Sequence, residues 1–238
     1  TISQIILRHA KFVMTNSLAL ANEVRFVCGV AHVETIYPVL DRRYVNLPVQ
    51  NRSGRQYFTM ITVARLDPRK GHHRVLHALC LLRDDPAVAP LRYYIVGDGP
   101  LRTEIEEEVG RLGLQDIVTL FGSVDDEQLA DLYSSSDLFV MPTVSDDIDR
   151  EGFGTVYIEA AAHGLPSIST DMSGVNEAVL HGQTGLLVQD HDASDLVASL
   201  RRLMLDHEFR ASLGGQAREH ANSKFTSEAC YPRLNDLL

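Results

Sequence analysis

The chain has 238 residues, 45% of them apolar, and its 32 acidic residues outnumber its 22 basic ones to give a net charge of −10. Such a surface repels nucleic acid and anionic membranes, so neither is expected as a main partner. No apolar run approaches the roughly 18–20 residues of a membrane span. Cys28, Cys80 and Cys230 lack the spacing of a metal site, which favours reduced thiols in a cytoplasmic protein.

The first fifty residues predict a strand, a helix and a strand that do not complete a domain. These elements fall at 11–15, 18–27 and 33–37, and the polar stretch 50–56 is typical of a linker. The chain begins with Thr1 rather than methionine, which fits a piece of a longer protein. We interpret residues 1–50 as the tail of a missing N-terminal domain plus a linker.

From residue 57 onward, short apolar strands alternate with helical patterns. The predicted strands are 58–64, 92–96, 117–121, 138–141, 167–170 and 185–188, and the predicted helices are 72–83, 101–111, 127–134, 155–163, 175–180, 193–205 and 207–222. This alternation is typical of a parallel sheet covered by helices on both faces. The fold class is therefore α/β, a doubly wound, Rossmann-like sheet over residues 51–222, with a last helix at 223–238.

A basic loop, Arg-Leu-Asp-Pro-Arg-Lys-Gly at 65–71, follows the first strand of the sheet. Doubly wound folds bind ligands at the carboxyl ends of their strands, where this loop places Arg65 and Lys70. Their two positive charges would neutralise a diphosphate and stabilise it as a leaving group. The alternative is a solvated basic loop, because a charge pair alone is weak support for a site.

Two later strands end in glycines. The sequence Gly97-Asp98-Gly99-Pro100 begins like a dinucleotide-binding motif, but its third glycine is missing, so a tight turn beside a ligand fits it better than a site for NAD. The turn from Gly122 to Val124 either supports a nucleobase or is an ordinary turn.

Glu151 and Glu159 lie eight positions apart around a Gly-Phe-Gly turn that leads into a predicted helix. The glycines let the backbone approach a ligand, and the free N–H groups of the helix start favour an anion. Paired carboxylates also serve glycoside hydrolysis, which needs an acid and a base on opposite sides of one bond. Placement around an anion-binding helix start favours recognition of sugar hydroxyls instead.

Two acidic features flank this segment. Asp147 and Asp149 form an Asp-x-Asp pattern of the kind that holds divalent metals, but such loops are more often solvated, so no metal is expected. In the loop 171–177, Gly174 permits close approach to a ligand, and Glu177 either belongs to the site or caps the next helix.

Together, these motifs resemble the donor-binding domain of retaining GT-B type glycosyltransferases, in particular glycosyltransferase family four. The resemblance covers roughly residues 58–205 and rests on the Arg-Leu-x-x-x-Lys-Gly segment at 65–71 and the Glu-x7-Glu motif of Glu151 and Glu159. One departure is Ser173-Gly174, where the family often has Gly-Gly. The first domain, which carries the acceptor pocket in that family, is expected to be missing.

The resemblance implies roles for individual residues. Arg65 and Lys70 would contact the donor diphosphate, Glu151 the hydroxyls of the transferred sugar, and Glu159 the ribose. Backbone N–H groups at 153–155 would hold the phosphates, and the turn at 122–124 would lie beside the base. The implied catalytic residues are Arg65, Lys70 and Glu151, and the implied donor-binding residues are Gly97, Gly122, Val124, Phe153, Gly154, Thr155, Glu159 and Glu177.

The resemblance implies transfer of a sugar from a nucleoside-diphosphate sugar to an acceptor hydroxyl, with retention and without a metal or other cofactor. The acceptor would be bound by the missing domain, so this chain alone is expected to transfer little or no sugar. We expect a cytoplasmic protein; peripheral membrane contact through the missing domain is left open.

Other functions fit the same pattern less well. A non-catalytic nucleotide-sugar-binding module and a sugar-nucleotide epimerase share the architecture, and an NAD-dependent dehydrogenase is disfavoured by the missing glycine. The donor base (UDP, GDP or ADP), the sugar and the acceptor stay open at this point.

Overall fold

The computed structural model describes residues 6–7, 9–52, 54–144, 152–190 and 192–235. Its main feature is a parallel sheet of six strands in the order β5-β4-β3-β6-β7-β8. These strands are β3 (Phe58–Val63), β4 (Leu91–Val96), β5 (Val118–Gly122), β6 (Leu138–Met141), β7 (Ser167–Thr170) and β8 (Gly185–Val188). Each matches its predicted position within one residue, so the predicted doubly wound fold is confirmed.

Helices cover both faces of this sheet. They are α2 (His72–Leu82), α3 (Arg102–Leu112), α4 (Asp126–Ser135), α5 (Thr155–Ala162), α6 (Ala193–Leu205), α7 (His207–Lys224) and α8 (Ser227–Asn235). Neighbouring residues of a strand point to opposite faces. In β3, Met60 therefore packs in the core under α2, α3 and α6, whereas Ile61 packs in the core under α4, α5 and α7. Burial on both faces explains the nearly continuous apolar runs of the strands.

The strand order reverses direction at β3. The chain proceeds from β3 to β4 and β5 on one side, then returns to place β6 against the other side of β3. Met60 pairs with Leu138 and Ile61 with Phe139 across this junction. Ligands of doubly wound folds bind outside the carboxyl ends of the strands at such a switch point. A ligand site is therefore expected at the loops that follow β3 and β6.

Residues 13–35 form a smaller unit outside the main sheet. Its elements are β1 (Val13–Thr15), α1 (Leu18–Cys28) and β2 (Val33–Thr35), and the two strands pair in parallel. The unit has its own small core and leaves Phe26 91% exposed. The predicted strand-helix-strand order is confirmed, but the assignment of this unit to an incomplete domain stays a prediction.

One predicted helix is wrong. The segment 175–180 forms only a short 3-10 turn, Val175–Glu177, instead of a helix. The chain turns here to enter β8. The N–H of Leu180 donates to the Thr184 hydroxyl at 2.8 Å. This side-chain bond replaces the continuing helical pattern. The last helix also begins later than predicted, at Ser227 instead of residue 223, because α7 continues to Lys224 and Phe225 is buried in the core.

Arg52 fastens the linker to the main domain. Its Nε donates to the Ser136 carbonyl at 2.7 Å, and its Nη2 donates to the His163 carbonyl at 2.7 Å. These carbonyls lie at the C-terminal ends of α4 and α5, where backbone acceptors lack helical partners and a positive charge is favourable. Arg55 makes similar bonds to the carbonyls of Ser134 and Ser135 from a more exposed position.

We expect Arg52→Met to lower the free energy of unfolding by about 1–3 kcal/mol, because it removes the 2.7 Å donor to the His163 carbonyl and leaves the Ser136 carbonyl only the longer bond from Arg55 at 3.3 Å. Urea unfolding followed by circular dichroism would measure this loss. Arg55→Met is the matched control and should cost less. Equal losses in the two variants would contradict the role given to Arg52.

His72, at the start of α2, is 1% exposed. Burial lowers the pKa of its imidazole from 6.5 to about 4, so the ring is neutral in the folded protein at neutral pH. In the unfolded chain the same ring takes up a proton at a higher pH. Acidification from pH 6.5 towards pH 4 therefore favours unfolding through this residue.

We expect the unfolding free energy of the protein to fall between pH 7 and pH 5, with His72 contributing roughly 2 kcal/mol of that fall. A His72→Leu variant removes this titration, so its stability should depend less steeply on pH over the same interval. Urea unfolding at pH 7 and at pH 5 measures the change in unfolding free energy for the native protein and for the variant. Equal changes in the two proteins would show that His72 is not buried as a neutral ring.

Candidate functional site

The loops after β3 and β6 are in direct contact at the switch point. The N–H of Val144 donates to the Arg69 carbonyl at 2.8 Å. Gly71 has φ 74° and packs against Pro142, where a Cβ atom would overlap the proline carbonyl. Only glycine satisfies both the left-handed backbone and the close approach. This contact brings the basic loop to the chain segment that leads towards Glu151.

The basic loop has a defined backbone. Asp67 caps the 3-10 turn Pro68–Lys70 by accepting from the Arg69 N–H at 3.1 Å. Arg65 lies exposed before this turn and Lys70 lies half-buried at its end. The structure therefore places both predicted cations on one loop at the carboxyl edge of the sheet, where they add positive potential to a protein of net negative charge.

Gly97 and Gly122 lie where the carboxyl ends of the neighbouring strands β3, β4 and β5 are in contact. The N–H of Gly97 donates to the Gly122 carbonyl at 2.8 Å, and Gly97 packs so closely on Ala64 that a side chain would overlap the alanine carbonyl. Leu66 continues this contact by donating to the Asp98 carbonyl at 3.0 Å. Gly97 thus holds the basic loop in place, and its contact with a donor stays a prediction. Val124 is partly buried beside this edge.

Helix α5 begins at the Gly-Phe-Gly turn with its N–H groups uncapped. Gly154 occupies the cap position with φ 80°, and no side chain among the described residues caps this helix start. The N–H groups of Phe153, Gly154 and Thr155 donate to no acceptor in the described part of the chain. A helix start in this state attracts an anion through its dipole and its free donors.

Phe153 anchors the turn rather than facing a ligand with its ring. The ring is 1% exposed and packs on Phe225, with 5.2 Å between centroids, and on Tyr37, with 5.6 Å. Burial of a large aromatic side chain fixes the backbone on either side of it. The backbone at the two flanking glycines is thereby held in a defined position.

Glu159 projects from α5 into an aromatic neighbourhood. Its Oε2 accepts a hydrogen bond from the Tyr133 hydroxyl at 3.2 Å, and Oε1 has no hydrogen bond to a described residue. Burial raises the pKa of this carboxyl, although the bond from Tyr133 acts in the opposite direction. Beside it, the ring of His163 lies 5.0 Å from those of Tyr133 and Tyr44. A desolvated carboxylate with a free oxygen suits a hydroxyl donor such as a ribose.

Glu177 has both carboxylate oxygens engaged. They accept from the N–H groups of Leu18 and Ala19, each at 2.9 Å, and Oε2 also accepts from the Tyr37 hydroxyl at 2.7 Å. Glu177 therefore caps helix α1 of the small unit, not the turn on which it lies. Its predicted contact with the donor stays a prediction.

Several predicted features lie outside the described residues. These are Glu151 and the acidic stretch 146–149 with its Asp-x-Asp pattern. Among the residues that the structure does describe, no group of three or more His, Cys, Asp or Glu side chains is arranged to hold a metal ion. Within the same residues, no helix is long and apolar enough to cross a bilayer.

Arg74, which no sequence pattern indicated, connects loops and strand ends at the carboxyl edge of the sheet. Its Nη1 donates to the Pro142 carbonyl at 3.2 Å and to the Thr170 hydroxyl at 3.3 Å, and it pairs with Asp190 at 3.5 Å. These partners follow β6, end β7 and follow β8. A single arginine inside a predicted helix gives no sequence signal for such long-range bonds, so this role required the fold.

Comparison with known proteins shows the family to which this chain belongs. The family model described as "Glycosyl transferases group 1" matches residues 46–220, which is most of the chain. A GDP-mannose-dependent alpha-(1-6)-phosphatidylinositol monomannoside mannosyltransferase of Mycobacterium tuberculosis is 31% identical over 182 residues, 76% of this chain and 47% of that protein. A D-inositol 3-phosphate glycosyltransferase of Rhodococcus erythropolis is 37% identical over 166 residues, 68% of this chain and 36% of that protein. The chain thus spans less than half the length of these relatives.

Solved structures show the same fold. Sucrose-phosphate synthase from Thermosynechococcus elongatus superposes with a TM-score of 0.82 and 27% identity, covering 99% of this chain and 59% of that one. HepE of Anabaena in complex with UDP-glucose superposes with a TM-score of 0.82 and 21% identity, covering 99% and 65%. With the family model spanning the sheet and its carboxyl-edge loops, the chain belongs to the glycosyl transferases group 1 family.

Proposed function

We propose that this chain is the donor-binding part of a retaining glycosyltransferase that uses a nucleoside-diphosphate sugar. The observation that carries the proposal is the contact at the switch point, which brings the cationic loop of Arg65 and Lys70 to the segment that leads into the uncapped start of α5. Cations and free N–H groups together provide what a diphosphate needs. A mannosyltransferase relative named as GDP-mannose-dependent and the UDP-glucose complex of HepE support the same class of donor.

In the proposed reaction, the bond between the anomeric carbon and the diphosphate oxygen breaks and a bond to the acceptor oxygen forms. The diphosphate oxygen takes the bonding electron pair and with it a negative charge, and the leaving diphosphate accepts the proton that the acceptor hydroxyl gives up. Arg65 and Lys70 stabilise that charge, which makes their contribution largest in the transition state. The N–H groups at 153–155 hold the same phosphates before and after transfer. No metal is required by these roles.

The remaining predicted residues bind the rest of the donor. Glu159 accepts a hydrogen bond from the ribose, Glu151 contacts the hydroxyls of the transferred sugar, and the turn from Gly122 to Val124 supports the base. We propose that residues 1–50 end a domain that binds the acceptor, and that residues 51–222 bind the donor. Transfer then requires both parts, in a protein that works in the cytoplasm.

We expect the protein to bind at least one of UDP, GDP and ADP in calorimetric titrations. Replacing Lys70 or Arg65 with alanine should weaken that binding roughly 10- to 100-fold, because each removes a charge-assisted contact to phosphate. Lys224→Ala, at an exposed position on the end of α7, is the matched control and should leave the affinity unchanged. Absence of binding to all three nucleotides would overturn the proposed function.

For Glu159→Gln, we expect weaker binding together with higher stability. The amide accepts less strongly than a carboxylate, so the affinity for the ribonucleoside diphosphate should fall about 10-fold. A 2′,3′-dideoxy analogue lacks the ribose hydroxyls. The native protein and Glu159→Gln should therefore bind this analogue with nearly the same affinity. Calorimetry with both nucleotides separates a ribose contact from general damage to the site.

The stability gain follows from the raised pKa of Glu159. A carboxyl whose pKa is higher in the folded state than in the unfolded state destabilises the folded state once it ionises. Replacing it with an uncharged amide therefore raises the free energy of unfolding above that pKa. Below pH 4 the replacement has little effect, because the carboxyl is then protonated in both states. The melting temperature of Glu159→Gln should exceed that of the native protein at pH 7, and the difference should shrink as the pH falls. Glu219→Gln, an exposed change on α7, should show neither effect.

A further inference from the structure

A cavity of about 550 Å³ lies at the amino edge of the main sheet, opposite the edge that carries the basic loop. Asp137 and Pro166 line this cavity and come directly before β6 and β7. Strand β6 has four residues, so the two edges of the sheet lie about 13 Å apart. The cavity is therefore separate from the proposed donor site.

Two walls of the cavity come from the linker and from helix α7. The linker contributes Gln50 and Arg52, and α7 contributes Arg210, Gly215 and Arg218. A ligand in the cavity would thus contact the linker and the main domain at once.

Positive charge predominates among the described residues that line the cavity, which include three arginines and a single aspartate. That aspartate, Asp137, accepts from the Thr59 N–H at 2.9 Å, and its other oxygen lies 3.5 Å from Arg55, which is not part of the lining. Its negative charge is therefore shared with a fourth arginine. In a protein of net charge −10, such a concentration of positive charge is a local exception.

The two arginines of α7 donate to backbone carbonyls, which carry no full charge. Nη1 of Arg210 donates to the Leu203 carbonyl at 2.5 Å, and Nη2 of Arg218 donates to the Leu47 carbonyl. A guanidinium has five N–H donors, and the bonds to described residues use only part of them. Both side chains can hold a carbonyl and bind an anion at the same time.

The electrostatics of the arginines agree with an uncompensated positive charge. Burial lowers the pKa of Arg52 from 12.5 to about 10, and the positive charges of Arg55 and Arg210 act in the same direction. The charge of Asp137 opposes this shift. Burial also lowers the pKa of Arg210, although Asp137 and Asp206 act in the opposite direction. An anion in the cavity would favour the charged form of both arginines.

Two consecutive glycines, Gly214 and Gly215, stand inside α7, where glycine weakens a helix. Gly214 has a packing reason, because a Cβ atom there would lie 2.3 Å from the Gly164 carbonyl oxygen. A Cβ atom on Gly215 would meet no atom of a described residue within 4 Å. Packing therefore does not require glycine at 215, and its missing side chain leaves space at the cavity wall between Arg210 and Arg218.

We propose that this cavity is a second ligand site, which binds a small polyanion through the guanidinium groups of Arg210 and Arg218. Guanidinium groups bind phosphate and carboxylate oxygens through charge-assisted hydrogen bonds that are often bidentate. The volume of the cavity falls within the range of about 300–1,000 Å³ that is usual for small-molecule pockets. The ligand needs no nucleoside, and the site does not depend on the proposed function.

The test titrates pyrophosphate and citrate into the intact chain by calorimetry, so that each of the two anion chemistries has its own probe. Gly215→Glu adds a negative charge at the cavity wall and removes no bond of the arginines, so it should weaken anion binding about 10-fold. Gln216→Glu adds the same charge at the next position of α7, which is exposed and outside the lining. This matched control should leave the affinity unchanged.

Arg218→Gln should also weaken anion binding about 10-fold, because a charge-assisted hydrogen bond is lost. Circular dichroism checks that this variant is folded, and Gly215→Glu tests the site without removing an arginine. Pyrophosphate also suits the proposed donor site, so each titration is repeated with Lys70→Ala. That variant should bind the anion in the cavity as tightly as the native protein does.

Weaker binding in both Gly215→Glu and Arg218→Gln, with Gln216→Glu and Lys70→Ala unchanged, would support the site, and the tighter probe would identify phosphate or carboxylate as its ligand chemistry. The proposal fails if neither anion binds, if the two glutamate variants weaken binding equally, or if binding is lost only in Lys70→Ala. The proposed function is decided separately by nucleoside diphosphate binding, which Gly215→Glu should not change.

Discussion

The site depends on how closely the loop after β3 approaches the loop after β6. Gly71 packs on Pro142, and the Val144 N–H bonds to the Arg69 carbonyl. Because protein interiors are densely packed, even a single methyl group at Gly71 would separate the two loops. The loop that carries Arg65 and Lys70 would then no longer contact the segment that leads towards α5. The backbone contact between Gly71 and Pro142 therefore determines where the positive charges of Arg65 and Lys70 lie.

The same region has two features that the proposed donor would complement. Burial raises the pKa of Glu159, and within the described residues the N–H groups at the start of α5 have no acceptor. Desolvation of a carboxylate costs stability in the free protein. In the proposed complex, ribose hydroxyls donate to Glu159 and phosphate oxygens accept from these N–H groups. Unsatisfied groups of complementary type at one sheet edge are thus a physical argument for a ligand, independent of any comparison with relatives.

Most of the fold could be predicted from local patterns. The apolar strands and the basic loop are continuous in sequence, so periodicity and turn residues locate them. The 3-10 turn at Val175–Glu177 could not, because the Thr184 hydroxyl that ends it approaches from outside the segment. Nor could the role of Arg74, whose partners lie far along the chain and are brought close only by the sheet. The sequence therefore indicated candidate cations and carboxylates, but not the residue that connects the loops around them.

The structural role of Glu177 differs from both roles that the sequence suggested. From the sequence, it was either a donor ligand or a cap of its own short element, whereas the structure uses it to cap a helix 159 residues earlier in the chain. Because Tyr37 links it to Phe153 as well, the small unit contacts the Gly-Phe-Gly turn and is not joined to the main domain only through the linker. Any displacement of the small unit must then break charge-assisted bonds or carry the Gly-Phe-Gly turn with it. The geometry of the proposed donor site is thereby coupled to the position of the neighbouring unit, which is the unit that we propose leads to the acceptor.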